Sequence, residues 1–254
     1  FTESRLWQNV EPLVGKVLHL DSVYMRYPFR ILSSGSGVYI LDLHGPDFYC
    51  HLFNSQNRHV QQSFAPRGNG PEDFLSAENI RIDAHSNFYL LDANRSEISV
   101  WSQNRPDTLT RIKLAKELVR TLDFDIVDDS TFVVPDYTGN HRIVIIDHKG
   151  QIVRNQQKIP VREDKKQIAN IALAQAWRSF IDYNSHNGVL AMVTQLGEVL
   201  EVYNLKDRTE VIRIGENGEP KFKIFEGYGI PLGENFLDKI KQELSSEVLG
   251  LVEN

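Results

Sequence analysis

Three aspartates close apolar runs in the same way, and they are the residues of this chain best placed to do chemistry. Asp42 ends Val38-Tyr39-Ile40-Leu41, Asp92 ends Phe88-Tyr89-Leu90-Leu91, and Asp136 ends Phe132-Val133-Val134-Pro135. If such strand ends converge about an axis, their carboxylates, together with Asp182, could hold Ca²⁺ or act as general acid and base. The plainer reading is that each Asp caps the turn after its strand by accepting hydrogen bonds from main-chain amides two residues on. Capping is preferred, because a motif present in every repeat serves the repeat, whereas a catalytic site draws different residues from different repeats. No catalytic residue is assigned and no cofactor is expected, with Ca²⁺ as the one ion worth testing.

A second candidate is the loop Phe64-Ala65-Pro66-Arg67-Gly68-Asn69-Gly70-Pro71-Glu72-Asp73-Phe74. The Gly68 to Gly70 amides, beside Arg67, could form an anion-binding nest. Alternatively the two glycines supply backbone angles closed to other residues, Pro71 fixes one dihedral, and Phe64 and Phe74 pack beneath a crossover. The structural role is preferred, because a nucleotide site asks for a strand, a glycine loop and a helix in sequence, and no helix pattern follows. A left-handed backbone is expected at Gly70, so Gly70→Val should harm folding.

The remaining chemistry is thinner. Eight histidines are scattered without metal-ligand spacing, and neither H-E-x-x-H nor a G-x-S-x-G nucleophile elbow occurs. Trp101 and Trp177 could line a sugar-stacking surface, although packing between repeats explains them as well. Cys50 is the single cysteine, which excludes an internal disulfide.

What must position these residues is a repeat. The runs ending at Asp42, Asp92 and Asp136 are followed by second apolar strands over Tyr49 to Phe53, Ile98 to Trp101 and Ile143 to Ile146. Val189 to Thr194 with Glu198 to Tyr203 makes a fourth, weaker copy. Successive strand ends lie 50, 44 and 58 residues apart, the period of propeller blades built from antiparallel meanders. An additional strand is expected over Val14 to Tyr24 and another over Phe222 to Phe225, and Ile168 to Trp177 has helix-forming composition. From Phe236 to Leu251, apolar residues recur at three- and four-residue spacing, so a C-terminal helix is expected over 235–252.

Composition sets the outer limits. The 254 residues are 41% hydrophobic and 24% charged, with a net charge of −6. That is enough for a packed core and offers no basic surface for nucleic acid. No apolar run approaches the roughly 20 residues of a membrane span. The chain begins at Phe1, consistent with a removed signal segment or a lipid-anchored leader.

Gly68-Asn69-Gly70-Pro71-Glu72-Asp73-Phe74, followed by an alternating strand and by Asn87-Phe88-Tyr89-Leu90-Leu91-Asp92, resembles the G-x-G-P-G-E-F linker and blade of the TolB-like six-bladed β-propellers abundant in Bacteroidetes. NHL-repeat propellers look similar. The resemblance covers about residues 14 to 214 and is strongest from 64 to 101. Glu72 stands where the family usually has Gly. The resemblance implies an all-β, six-bladed propeller, usually exported to the periplasm or cell surface or carried as a lipoprotein. The expectation is therefore a single propeller domain over 1–254, with clear repeats over 29–214, at least four visible blades and a ring that is incomplete within this sequence. Two functions follow as expectations. One is a non-enzymatic extracytoplasmic binding or scaffold propeller for a protein or carbohydrate ligand, using Arg67, Gly68, Gly70, Trp101 and the three aspartates. The other is a metal-assisted, Ca-dependent hydrolase or lactonase.

Overall fold

The computed structural model describes residues 23–35, 37–57, 59–102, 105–160, 169–207, 209–214, 222–225 and 228–231, with single residues 12, 14, 15 and 218. The helix expected over 235–252 lies outside the described residues, as does most of the strand expected over Val14 to Tyr24.

Four sheets of four antiparallel strands follow one another along the chain. Blade one is β1 (Pro28–Ser34), β2 (Gly37–Asp42), β3 (Phe48–Asn54) and β4 (Val60–Pro66). Blade two is β5 (Ala77–Ile82), β6 (Phe88–Asp92), β7 (Glu97–Ser102) and β8 (Arg105–Lys113). Blade three is β9 (Asp125–Asp128), β10 (Thr131–Pro135), β11 (Ile143–Asp147) and β12 (Ile152–Gln156). Helix α1 (Asn170–Ala176) then precedes blade four, β13 (Ser179–Asn184), β14 (Val189–Thr194), β15 (Val199–Asn204) and β16 (Glu210–Ile214). A hairpin of β17 (Phe222–Phe225) and β18 (Tyr228–Pro231) follows. The four runs found by repetition are the second strands β2, β6, β10 and β14, in equivalent positions. Each blade also carries a fourth, outer strand.

The middle strands read as unbroken apolar runs because a blade is covered on both faces. Alternation sends neighbouring side chains to opposite sides. Leu90 packs toward blade one, with Leu41, Cys50, Phe74 and Ile80. Leu91 packs toward blade three, with Ile98, Phe124, Phe132 and Val144. On β10 the same division sends Phe132 and Val134 toward blade two, while Val133 joins Ile143, Ile181, Leu190 and Met192 at blade four.

Blades one and two meet through rings. Phe88 lies 5.2 Å from Tyr39 and 5.1 Å from Phe64, and Trp101 lies 5.7 Å from each of Phe64, Phe74 and Phe88. Blades three and four meet partly through charge. Arg142, 2% exposed, sits against Glu201, 0% exposed. Its Nε lies 3.0 Å from both Glu201 oxygens, and Nη1 donates to the Trp177 carbonyl at 2.7 Å. Nη2 reaches the Ser179 hydroxyl, and the Tyr203 hydroxyl donates to Glu201 at 2.6 Å.

The short α1 has no side-chain cap and is held by burial of Ala172, Leu173, Ala174 and Ala176 in a cluster with Trp177 and Val199. Gly139 makes room for it. The glycine has a φ of 80°, and a Cβ there would lie 1.9 Å from the Asn170 carbonyl oxygen. On the far side of blade four, Phe180, Val193 and Leu200 stand in register across β13, β14 and β15, and all three are exposed.

Candidate ligand site at the propeller axis

The first strand of each blade faces the axis, with β1 against β5 and β9 against β13. Their side chains build a buried polar cluster there. Arg81 pairs with Asp123 at 3.2 Å and with Asp125 at 3.1 Å, and it donates to the Ile181 carbonyl at 3.0 Å. Arg30 lies 3.9 Å from Asp123 and donates to Asn79 at 3.1 Å. Asn79 in turn donates to Asp123. The carboxylates also hold main chain, Asp123 accepting from the Ile181 amide and Asp125 from the Tyr183 amide, each at 2.9 Å. Burial pushes both carboxyls above the ordinary aspartate value, with Arg81 and these amides opposing the shift. Desolvation likewise draws the Arg30 guanidinium down from its usual value. The cluster therefore joins four blades through satisfied charges.

Beside this cluster lies a cavity of about 240 Å³ to which every blade contributes. Tyr27, Phe29 and Leu43 come from blade one, and Glu78 and Asn79 from blade two. Tyr137 and Asp123 come from blade three, and Arg178, Phe180 and Gln195 from blade four. Phe29 and Phe180 meet across the axis with ring centroids 5.9 Å apart. Two polar groups on the wall have no hydrogen-bond partner. They are the Tyr137 hydroxyl and the Arg178 Nε. Burial pushes the Tyr137 phenol well above its ordinary value, so it is a neutral donor at physiological pH.

The position of these wall residues follows a rule. Leu43 and Gln195 directly follow Asp42 and Thr194, which end β2 and β14, and Tyr137 directly follows Asp136, one residue past β10. The amide of Leu43 bonds the Tyr27 carbonyl at 3.1 Å, that of Ala93 bonds Ser76 at 2.9 Å, and that of Gln195 bonds Arg178 at 2.8 Å. In blades one, two and four the main-chain bond at this position repeats while the side chain changes.

The strand-ending aspartates serve as caps. Asp42 accepts from the amides of Arg26, Tyr27 and His44 at 2.7–3.1 Å. Asp92 accepts from those of Leu75, Ser76, Asn94 and Arg95 at 2.7–3.2 Å. Asp136 accepts from the amides of Thr138 and His141 and from the Thr138 hydroxyl, each at 2.8 Å. The caps reach further than the turn alone, since Asp42 and Asp92 also fix the segment entering their own blade. Among the described residues no three His, Cys, Asp or Glu side chains gather in a metal-holding group. Asp182 is exposed on β13.

The glycine loop supplies its own anion. The Gly70 amide donates to the Asp73 carboxylate at 2.8 Å, and the Gly68 amide to the Phe74 carbonyl at 3.1 Å. Arg67 donates to the Gly45 and Leu43 carbonyls at 2.9 and 2.7 Å and lies 4.1 Å from the Tyr49 ring centroid. The expected left-handed backbone at Gly70 is absent. Neither glycine has a positive φ, and it is Ala65 that carries one, at 58°. Glycine is needed instead for close approach, because a Cβ would meet the Asp73 carboxylate at 2.3 Å from Gly68 and 2.9 Å from Gly70. Trp101 is half-buried and packs against the rings of Phe64, Phe74 and Phe88.

Over residues 8–234 the chain matches the family described as TolB-like 6-blade propeller-like. It belongs to that family. A TolB-like chain of this kind has four complete blades and one further hairpin among its described residues. A protein of Bacteroides fragilis NCTC 9343 that is named as exported superposes with a TM-score of 0.48 at 10% identity, over 93% of this chain and 89% of its own. Virginiamycin B lyase from Staphylococcus aureus superposes at 0.51 and 14% identity, over 75% of this chain and 56% of the lyase. A DUF4221-family protein from Bacteroides vulgatus ATCC 8482 superposes at 0.50 and 12% identity, over 86% and 64%. At these identities the likeness is one of fold. No curated protein sequence matches the chain. Among the described residues no helix is long and apolar enough to cross a membrane.

Proposed function

We propose that this TolB-like propeller is a non-enzymatic binding module that receives a small ligand in its axial cavity, in an extracytoplasmic setting. One observation carries the reading. The cavity is walled by residues that differ from blade to blade, on a main chain that repeats, which is how a repeat scaffold makes a specific site. The neighbouring carboxylates are committed to Arg81 and to main-chain amides, so they support the architecture rather than standing ready as base or metal ligands. The test is a ligand-observed NMR screen of small organic compounds with a Phe180→Asp control that removes an apolar wall of the cavity and places a charge there. Hits lost in the control support the reading, and hits indifferent to it, or none, reject it. A calorimetric titration with CaCl₂ addresses the Ca-dependent hydrolase. No saturable heat is expected, and a stoichiometric heat would favour that enzyme class instead.

A further inference from the structure

Arginine side chains elsewhere near the axis all face acceptors, although the Arg81 Nε meets Asp125 as an ion pair without hydrogen-bond geometry. Arg81 bonds two carboxylates and a carbonyl, Arg30 an amide oxygen and a carboxylate, and Arg142 a carboxylate, a carbonyl and a hydroxyl. Arg178 is different. Its Nε is buried without a hydrogen-bond partner, on a residue that is otherwise half-buried. A buried donor without an acceptor is expensive to maintain. The Tyr137 hydroxyl has the same property on the same wall, with Tyr137 only 9% exposed. These two groups are close enough for Arg178 to act electrostatically on the phenol. Two donors without acceptors, one of them charged, define a place for an anion.

The rest of the wall limits what carries that anion. Tyr27 and Phe180 keep 50% and 42% of their surface exposed although they line the cavity, and Phe29 completes an apolar side. Glu78 also lines the cavity and accepts from the Ser76 hydroxyl at 2.6 Å, so a polyanion would meet a like charge opposite Arg178. The volume, about 240 Å³, falls below the roughly 300–1,000 Å³ of sites for drug-sized ligands. The occupant is therefore compact, singly charged and partly apolar.

We propose that the axial cavity binds a small monocarboxylate with an aromatic or branched apolar body. Arg178 and the Tyr137 hydroxyl hold the carboxylate, and Tyr27, Phe29 and Phe180 enclose the body. This rests on the axial-cavity reading and sharpens it. A planar fork and a phenol donor together suit the two oxygens of a carboxylate.

The experiment compares phenylacetate, its neutral isostere phenylacetamide and the cation phenethylamine by saturation-transfer NMR and competition on the full chain. Phenylacetate is expected to bind about tenfold or more tightly than phenylacetamide, the usual scale for a charge-assisted hydrogen bond. Arg178→Gln should bring the two to parity, and Tyr137→Phe should weaken phenylacetate several-fold. Both variants are expected to keep the parent Tm, because neither the Arg178 Nε nor the Tyr137 hydroxyl bonds the protein. Equal binding of acid and amide, or preference for the amine, overturns the carboxylate assignment while leaving the cavity reading standing. If none of the three probes binds, both the assignment and its premise fail for ligands of this size. If Arg178→Gln loses Tm with its affinity, Tyr137→Phe decides: an unchanged phenylacetate affinity there overturns the proposal.

Discussion

Blades one and two meet through stacked and edge-on rings, whereas blades three and four set a buried ion pair beside their apolar contacts. The two interfaces do the same geometric job by opposite means. Tyr39, Phe64, Phe88 and Trp101 gain from burial alone and tolerate small displacements, because dispersion and the hydrophobic effect have no strict geometry. Arg142 and Glu201 gain only while every donor and acceptor stays paired, because each alone would be a naked charge in a dry site. One interface is graded and the other is conditional.

The sharpest way to break this contrast is Glu201→Ala, which strands Arg142. It should lower unfolding free energy by about 3–5 kcal/mol in urea titrations. The double variant Arg142→Met/Glu201→Leu should lie near the parent or above it. A double variant as unstable as the single one would show that the pair contributes real attraction rather than conditional cost. On the graded side, Phe88→Ala should lower stability by about 3 kcal/mol and Phe88→Leu by about 1 kcal/mol. A loss from Phe88→Leu as large as that from Phe88→Ala would mean this interface is as exacting as the other.

The strand-end caps provide a reference that belongs to neither interface. Asp92→Ala leaves four amides without their acceptor and should lower stability by about 2 kcal/mol, with Asp92→Asn recovering part of it. Thermal melts of Asp92→Ala alone and combined with Glu201→Ala should add, since the sites share no partner. The smallest effect expected is a rate. Cys50 is 0% exposed between blades one and two, and burial pushes its thiol far up. Native protein should therefore resist thiol reagents. Phe88→Ala should speed labelling of Cys50, while Glu201→Ala, acting at the other interface, should leave it slow if the blades open separately. Equal acceleration by both would show that the blades open together.

Legibility in the sequence followed repetition. The second strands were readable because Asp42, Asp92 and Asp136 recur after apolar runs, and the same recurrence argued correctly that they cap turns. The outer strands β4, β8, β12 and β16 carry no shared motif and were not delimited. The axial residues escaped notice for the opposite reason. Arg30, Asn79, Arg81 and Asp125 lie in first strands, and Asp123 just before one, where polar positions look like solvent-facing alternation, and only the ring geometry turns them inward. Tyr137, Gln195 and Leu43 had a usable signal in their place directly after the strand-ending residue, but it shows only once the cap is known to hold the backbone in register. At Gly70 the residue type pointed to a role in folding while the mechanism differed, because close approach by Asp73 and left-handed backbone both select glycine.

The bond from the amide after the strand-ending residue back to the chain entering its own blade, made in blades one, two and four, has a consequence for how such proteins diversify. It uses main-chain atoms only, so any residue other than proline can occupy the position without disturbing the blade. When a blade is duplicated, the copy inherits the scaffold intact, and a single codon rewrites what that copy shows to the axis. Leu43, Ala93 and Gln195 are three different outcomes of that freedom within one gene. New specificity can thus arise by point substitution on an unchanged fold, without passing through unstable intermediates.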